Sequence, residues 1–345
     1  VGGNLSITAT TGNITQGVVL TVTGTSSFTT SASDADITLA TTTNAFTGAV
    51  SLNTTGSGGN AEVIDASALN LGASTVGGTL SARAVTGDIS NSGNLAITGA
   101  ATFRTDADGS NIALDSSGNV FSSAVTLQAD GGGEAFGNIT FVDSADVKLH
   151  SSASTGGDLF IDGSTDGAVG GNLSITATTG NITQGVALAV GGTSTFVTSA
   201  NDATIALTTD SNAFTGALLI TTNDSGTDTA GDVSIDGGTT GLIMGLSTID
   251  GDLALRSGAA ITDTGVATVR GTLSATTDAG NSAITLDQLA VDGAFTLAPN
   301  GNGAVTVVND AGLNLAASTM GGTFSGTATT GDISDSGNLA ITGTS

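Results

Sequence analysis

Apolar letters in this chain alternate with small polar ones in short runs, and the runs come in threes. Leu5-Ser-Ile7, Ile14, and Leu20 with Val22 make the first group. Phe28, Asp36-Ile-Thr-Leu-Ala40 and Phe46 make the second, and Leu80, Ile89, and Leu95 with Ile97 repeat the scheme further on. A period of two puts one side of each run against a core, which is the pattern of a β-strand. Turn formers separate the runs: TTGN, SASDAD, DADGSN and NDSGTD. No 3.6-residue periodicity lasts for the length of a helix. The pattern predicts short strands in groups of three, with tight turns between them.

Whole phrases recur as well. VGGNLSITATTGNITQGV at Val1–Val18 returns unchanged at Val169–Val186, an offset of 169 − 1 = 168. TGDISNSGNLAITG (Thr86 to Gly99) returns with one letter changed at Thr330 to Gly343, an offset of 330 − 86 = 244. Two different offsets require an underlying unit shorter than either. Anchors at Leu5, Phe28, Leu52, Leu80, Phe103, Leu127, Leu149 and Leu173 mark seven units, with a mean length of (173 − 5)/7 = 24. Further anchors at Phe196, Ile220, Leu253, Leu273, Leu297 and Phe324 are less even, with intervals from 273 − 253 = 20 to 253 − 220 = 33. Periods of this size belong to solenoids and arrays, and 24 is too short for a propeller blade of about 40.

Three strands and three turns per unit predict an all-β, right-handed parallel β-helix: a single-stranded solenoid of about 14 coils of about 24 residues. Residues 1–345 read as one continuous solenoid, with internal repeats 1–168 and 169–345. The chain opens and closes inside repeated phrases, as a segment of a longer protein would. One coil alone cannot bury enough apolar surface to offset the entropy of ordering its residues. Each coil therefore depends on its neighbours, and a phrase can be copied wherever it lands in register.

Composition narrows the function. Five basic residues face thirty acidic ones, for a net charge of −25. That removes the basic footprint required by nucleic acid or by anionic lipid heads. There is no cysteine, so disulfides and thiolate chemistry are excluded. No 18-residue apolar run predicts a membrane span, and no signal-peptide pattern opens the chain. Tyr and Trp are absent, and the eleven aromatic residues are all Phe.

GGNLSITATTGNITQ, GGTLSARAVTGDISNSGNLAIT and GGDLFIDG resemble the repeat region of filamentous haemagglutinin-like giant adhesins, bacterial exoproteins of the two-partner secretion type. The resemblance covers essentially the whole chain. It implies a β-helical shaft, export through the outer membrane, an extracellular or cell-surface location, and a role in adhesion or surface structure. The family's secretion domain and terminal binding domains have no counterpart in these residues.

Candidate chemistry is sparse, and no catalytic, cofactor-binding or metal residue is assigned. Asp106-Ala-Asp108-Gly109-Ser-Asn111 has the alternating oxygen donors of a calcium loop but lacks its distal Glu. It reads better as a solvated turn, as does Asn223 to Asp232. Weak, diffuse divalent-cation binding over stacked Asp turns is the most that these segments predict.

Asp34 with Asp36, and Asp162 with Asp166, are candidate carboxylate pairs for glycoside chemistry. That reading needs a groove and sugar-holding groups, yet Arg83, Arg104, Arg256 and Arg270 are scattered singly. His150 is the only histidine and lies beside the only lysine, Lys148. Thr8/Thr10 and Thr21/Thr23 resemble ice-binding Thr pairs, but the coil of Leu80 has Ala82 and Ala84 instead. Leu242 to Leu246 is either an apolar protrusion or a strand of an enlarged coil in the long interval after Ile220. The chain is therefore expected to be no enzyme. Its expected partners are neighbouring coils, identical chains end to end, and a host or neighbouring-cell surface.

Overall fold

In the computed structural model, which describes residues 1–129, 137–149, 158–161, 168–223 and 230–344, the chain is a right-handed parallel β-helix. It has about 15 turns with a spacing of about 21 residues. Among the described residues there is no helix, and so none long and apolar enough to cross a membrane. The chain forms two compact units, Val1–Thr178 and Thr179–Ser345. The division falls inside the second copy of the opening phrase.

In the first unit the expected strand triplets appear at the expected places. Leu5–Ala9, Ile14–Thr15 and Thr21–Val22 form one rung, and Leu80–Ala84, Ile89–Asn91 and Leu95–Ile97 form another. Every rung lies parallel on the next. Along the column that starts at Ile14, the middle strand of the first rung, the register runs Ile14↔Ile37↔Ala61↔Leu80↔Ala101↔Val125↔Leu159. The shortest of these steps is 80 − 61 = 19 and the longest is 159 − 125 = 34. Alternate side chains point inward, so Leu80, Ala82 and Ala84 are buried while Ser81 is exposed. Ala82 and Ala84 therefore belong to the core and are not counterparts of the exposed Thr8.

The second unit is built the same way. Its middle strands step Ile182↔Ile205↔Val233↔Leu253↔Leu273↔Phe295. The longest step, 233 − 205 = 28, holds the segment from Asn223 to Asp232. Leu242–Met244 is an ordinary buried strand paired with Ile261–Asp263, while Leu246 is exposed. The coil is enlarged, with a step of 28 residues against 20 to 23 for the others in this column, but by less than the 33-residue interval after Ile220 suggests. Ile220 lies in the strand Leu218–Thr221, whereas Leu253 lies in the middle column, so that interval crosses from one face to another. The same slip separates Leu52 from Leu80.

The core is a stack of aliphatic ladders with paired rings at intervals. Phe28 and Phe46 meet edge to face at 6.2 Å, and Phe196 and Phe214, their counterparts in the second copy, meet at 6.4 Å. Phe103 and Phe121 repeat the arrangement at 6.0 Å. Such pairs contribute about 0.5–1.5 kcal/mol beyond the area they bury.

A column of glycines marks a corner where backbones touch. Gly271 N–H donates to the Gly251 carbonyl at 3.1 Å, and Gly293 N–H donates to Gly271 at 3.0 Å. A Cβ on Gly271 would lie 2.6 Å from the Gly251 carbonyl carbon, so only glycine fits.

Candidate functional site

The polar residues that carry potential chemistry gather at the corners of the rungs, where they bind one rung to the next. The deepest example is Asn44. Its Nδ2 donates to the carbonyls of Leu39 (3.2 Å) and Ile64 (3.3 Å), and its Oδ1 accepts from Leu20 N–H at 3.0 Å. Gln16 of the adjacent rung pairs with the same amide in both directions. The residue is fully buried and fully satisfied.

Asn212 repeats the arrangement with Gln184, Leu207, Asp236 and Leu188. Asn119 does so with Asn91, Leu114 and Leu95. All three sit in one phrase, Ile-x-Leu-x4-Asn-x-Phe, at Ile37–Phe46, Ile112–Phe121 and Ile205–Phe214. That phrase was the available signal for the corner, and the strand pattern alone passes over it.

A second polar column caps the outer corners. Asn13 Oδ1 accepts from Asp36 N–H at 2.9 Å, Asp36 Oδ1 from Asn60 N–H at 2.9 Å, and Asn60 Oδ1 from Thr79 N–H at 2.8 Å. Asp88, Asn111, Asn138 and Asn172 form the same chain at 2.7, 2.8 and 2.8 Å. Asp232, Asp252 and Thr272 form it in the second unit.

Serines close a third corner. Ser74, Ser247 and Ser318 each accept a backbone N–H from the neighbouring rung and donate to the carbonyl two residues back.

Several of the candidate residues take part in these corners or in the turns beside them. Asp34 is a turn residue with φ 60, as are its relatives Asp202 (61) and Asn281 (63), and its Oδ1 accepts Gly58 N–H at 2.8 Å. Asp36 serves the ladder just described. Asp106 is held between Arg83 and Arg104, with Arg104 Nε at 3.0 Å. Asn111 Oδ1 accepts Asn138 N–H at 2.8 Å, so Asp106 and Asn111 of the calcium-like segment both spend side-chain oxygens within the protein. Among the described residues no three His, Cys, Asp or Glu side chains converge on a common point.

Asn223 donates to the Ser199 carbonyl at 2.9 Å, and Asp232 supports Asp252. Thr8 lies in the strand Leu5–Ala9 with Thr10 beyond its end, and Thr21 lies in Thr21–Val22 with Thr23 beyond. Lys148 sits in Val147–Leu149 opposite Asp158. His150, Asp162 and Asp166 lie outside the described residues.

The arginines are not solitary, as sequence reading had them. Arg83 and Arg104 face each other on adjacent rungs with Asp106 beside them. The Asp106 hydrogen bond pushes the Arg83 guanidinium pKa up, against the opposing effect of burial. Arg256 reaches Asp236 (3.4 Å) on one side and Asp278 (2.7 Å) on the other, and Arg270 pairs with Asp250. Arg83, Arg256 and Arg270 thus each reach a carboxylate one rung along. Two carboxyls stand apart from this pairing. Burial raises the pKa of Asp143, which accepts Phe121 N–H at 3.2 Å, and burial raises that of Asp263, with Asp287 adding to the effect.

Outward strand positions form flat rows of small hydroxyls, such as Ser6↔Ser27↔Ser51 and Ser81↔Thr102↔Thr126. Shallow grooves follow them, one of about 530 Å³ beside Asp88, Asn111 and Asn138, and one of about 360 Å³ beside Arg256 and Asp236.

The geometry is thus one of repeated interlocking parts, and the comparison with known families agrees. A family model described as repeats of unknown function (DUF5649) matches residues 1–53, 58–128, 136–221, 230–301 and 302–345. The chain belongs to this repeat family. Two joins between matched stretches of DUF5649 follow the strands Val125–Gln128 and Leu218–Thr221, where the register lengthens. No curated protein and no solved structure matches the chain. What unites the DUF5649 stretches here is a repeated β-solenoid structural scaffold.

Proposed function

We propose that the chain is a shaft: a β-helical spacer in a large secreted or cell-surface bacterial fibrous protein, carrying adhesive parts away from a surface and performing no catalysis. One observation carries this reading. The polar groups suited to chemistry at the corners, Asn44, Asp36, Asp106 and Asp236 among them, are engaged in bonds that lock rung to rung.

The resemblance of GGNLSITATTGNITQ and its relatives to haemagglutinin-like adhesin repeats supports the surface location. A net charge of −25 over small hydroxyl rows supports a hydrated exterior that resists non-specific association.

The decisive test is replacement. In the producing cell, this segment is exchanged for an unrelated β-helix with the same number of turns, and surface display and cell attachment are measured. A spacer tolerates the exchange. Loss of attachment with display intact would make the segment a binding module instead.

A further inference from the structure

We propose that the corner formed by Leu246, Val266, Gln288 and Val308 is a lateral docking spot for a basic segment of another protein, which lays an aliphatic side chain against Leu246 and Val266 and a Lys or Arg against Asp287 and Asp310. Such docking is independent of the spacer role.

The corner departs from its own counterparts. The chain turns in the same way at Gly72-Ala73-Ser74, Gly245-Leu246-Ser247 and Ala316-Ala317-Ser318. In each, the serine N–H donates to a carbonyl of the next rung, that of Asn94 (3.0 Å), Val266 (3.0 Å) and Asn338 (3.1 Å) in turn. A glycine of that rung, Gly93, Gly265 or Gly337, lies over the middle residue. On this shared backbone two corners present Ala and Asn to water. The third presents Leu246, 68 % exposed, and Val266, 43 % exposed.

Away from the first and last rungs, the exposed large apolar residues among the described ones are Val120, Leu246 and Val266, and two of these are neighbours here. Single exposed apolar side chains are ordinary, whereas a contiguous strip marks a surface that binds. Half-buried Leu219 extends the strip on the preceding rung, beside Gly245, where Ser51 stands beside Gly72. On the other side Val266 borders a hollow of about 170 Å³ with Gln288, Leu289 and Val308. A cavity of about 150 Å³ holds a benzene-sized group, so the hollow admits one aliphatic side chain.

The platform is held in place before any partner arrives. Ile284–Val291 runs as one strand past the corner, with a register shift between Leu286 and Leu289 that leaves Asp287 and Gln288 exposed. The Asp263 carboxylate ties them down, accepting Asp287 N–H at 3.2 Å and Gln288 N–H at 2.8 Å. Asp310 is fixed beside them, its N–H donating to the Leu289 carbonyl at 2.8 Å. Little order is therefore lost on this side when a partner binds.

Charge selects the occupant. Asp287 and Asp310 line the hollow, with Asp263 behind them. Among the described residues no ion pair involves these three acids, whereas Asp236, Asp250 and Asp278 of the same unit each hold an arginine. Burial raises the Asp263 pKa and the charge of Asp287 adds to the rise, as befits a spot short of positive charge. A second copy docked about a two-fold axis would set these acids against their own copies, each chain carrying −25. A segment with Lys or Arg next to Leu, Ile or Val supplies both the apolar cover and the missing cation.

The test uses the chain of 345 residues and short labelled peptides in which Leu is flanked by Lys, Leu is flanked by Glu, or Ser is flanked by Lys. By fluorescence anisotropy the Leu-Lys peptide should bind at least about tenfold more tightly than either control, and less tightly as salt rises. Leu246→Ala/Val266→Asn installs what the other corners carry and should weaken that binding about tenfold, as should Asp287→Asn/Asp310→Asn. The place is read separately, because the chain has no cysteine of its own. Thr248 and Thr75 are exposed at the same strand position after their corners. An environment-sensitive dye on Thr248→Cys should respond to the Leu-Lys peptide, and the same dye on Thr75→Cys should not. Should a double variant fail to fold, the dyes decide the question unaided. Four results would each overturn the proposal: no binding of the Leu-Lys peptide, binding untouched by Leu246→Ala/Val266→Asn, or equal dye responses, which would mean diffuse attraction to an acidic chain. The fourth is self-association in sedimentation that Leu246→Ala/Val266→Asn abolishes, which would make a second copy the occupant.

Discussion

Asn44 and Asp143 occupy corners of the same unit, both are buried, and both accept a backbone N–H from the preceding rung, at 3.0 and 3.2 Å. Their chemistry is opposite. The amide of Asn44 also donates to two carbonyls, so one side chain satisfies donors and acceptors on three rungs. The carboxylate of Asp143 only accepts, and burial opposes its charge. An interior corner thus favours a neutral group that both gives and takes. A carboxylate is tolerated there at a cost that depends on pH.

The sharpest way to break the contrast is Asn44→Asp. It points an acceptor at two carbonyls and buries an unpaired charge, and is expected to cost about 3–5 kcal/mol. Asn212→Asp should cost about the same, since its network is a copy. Denaturant unfolding of the two variants measures both. A loss below about 1 kcal/mol would mean that the amide donors contribute little.

Next in size is a backbone contrast. Gly271→Ala drives a methyl into the Gly251 carbonyl and should cost about 1–3 kcal/mol, whereas Gly280→Ala has nothing within 4 Å and should change stability by less than about 0.5 kcal/mol. Equal effects on the unfolding midpoint would remove close backbone approach as the reason for glycine at this corner.

The strands were legible because period-two alternation survives in every rung. The faces were not. Gly-x-Leu-x-Ile phrases serve more than one side of the helix, and all sides bury alternate residues, so Leu52 and Leu80 look equivalent although they lie in different columns. The corner amides were visible as a phrase, but their partners sit a full rung away in sequence, beyond any local pattern. The arginine partners were hidden for the same reason. Arg256 finds Asp236 only once the local rung length is known to be 253 − 233 = 20.

A smaller effect sharpens the carboxylate half of the comparison. Asp143 and Asp263 hold their protons above the usual 3.8. A group raised in the folded state contributes its full stability below the unfolded value and loses it as pH rises through the folded value. Lowering the pH towards the usual 3.8 should therefore recover the stability that ionising these two groups costs, raising the unfolding temperature relative to a chain without them. In the Asp143→Asn/Asp263→Asn double variant that contribution to the slope of unfolding temperature against pH should vanish. Reading the slope separates the titration from any hydrogen bond lost in the variant, and an unchanged slope would assign the pH response to other acids.

The smallest expected effect concerns the exterior, where charge is tolerated because water and a partner share it. Arg104 is more than half exposed, and Asp106 keeps Arg83 at 2.8 Å without it. Removing Arg104 also relieves its like-charge opposition to Arg83. Arg104→Gln should therefore shift stability by less than about 0.5 kcal/mol, within the range of surface ion pairs. Arg83→Gln alone should behave similarly, with Arg104 left to hold the carboxylate. The double variant leaves the mostly buried Asp106 with neither cation, and should cost more than the two single losses added together. A strictly additive cycle would mean that the two arginines act on Asp106 independently, and that the triad is a surface coincidence of rung spacing.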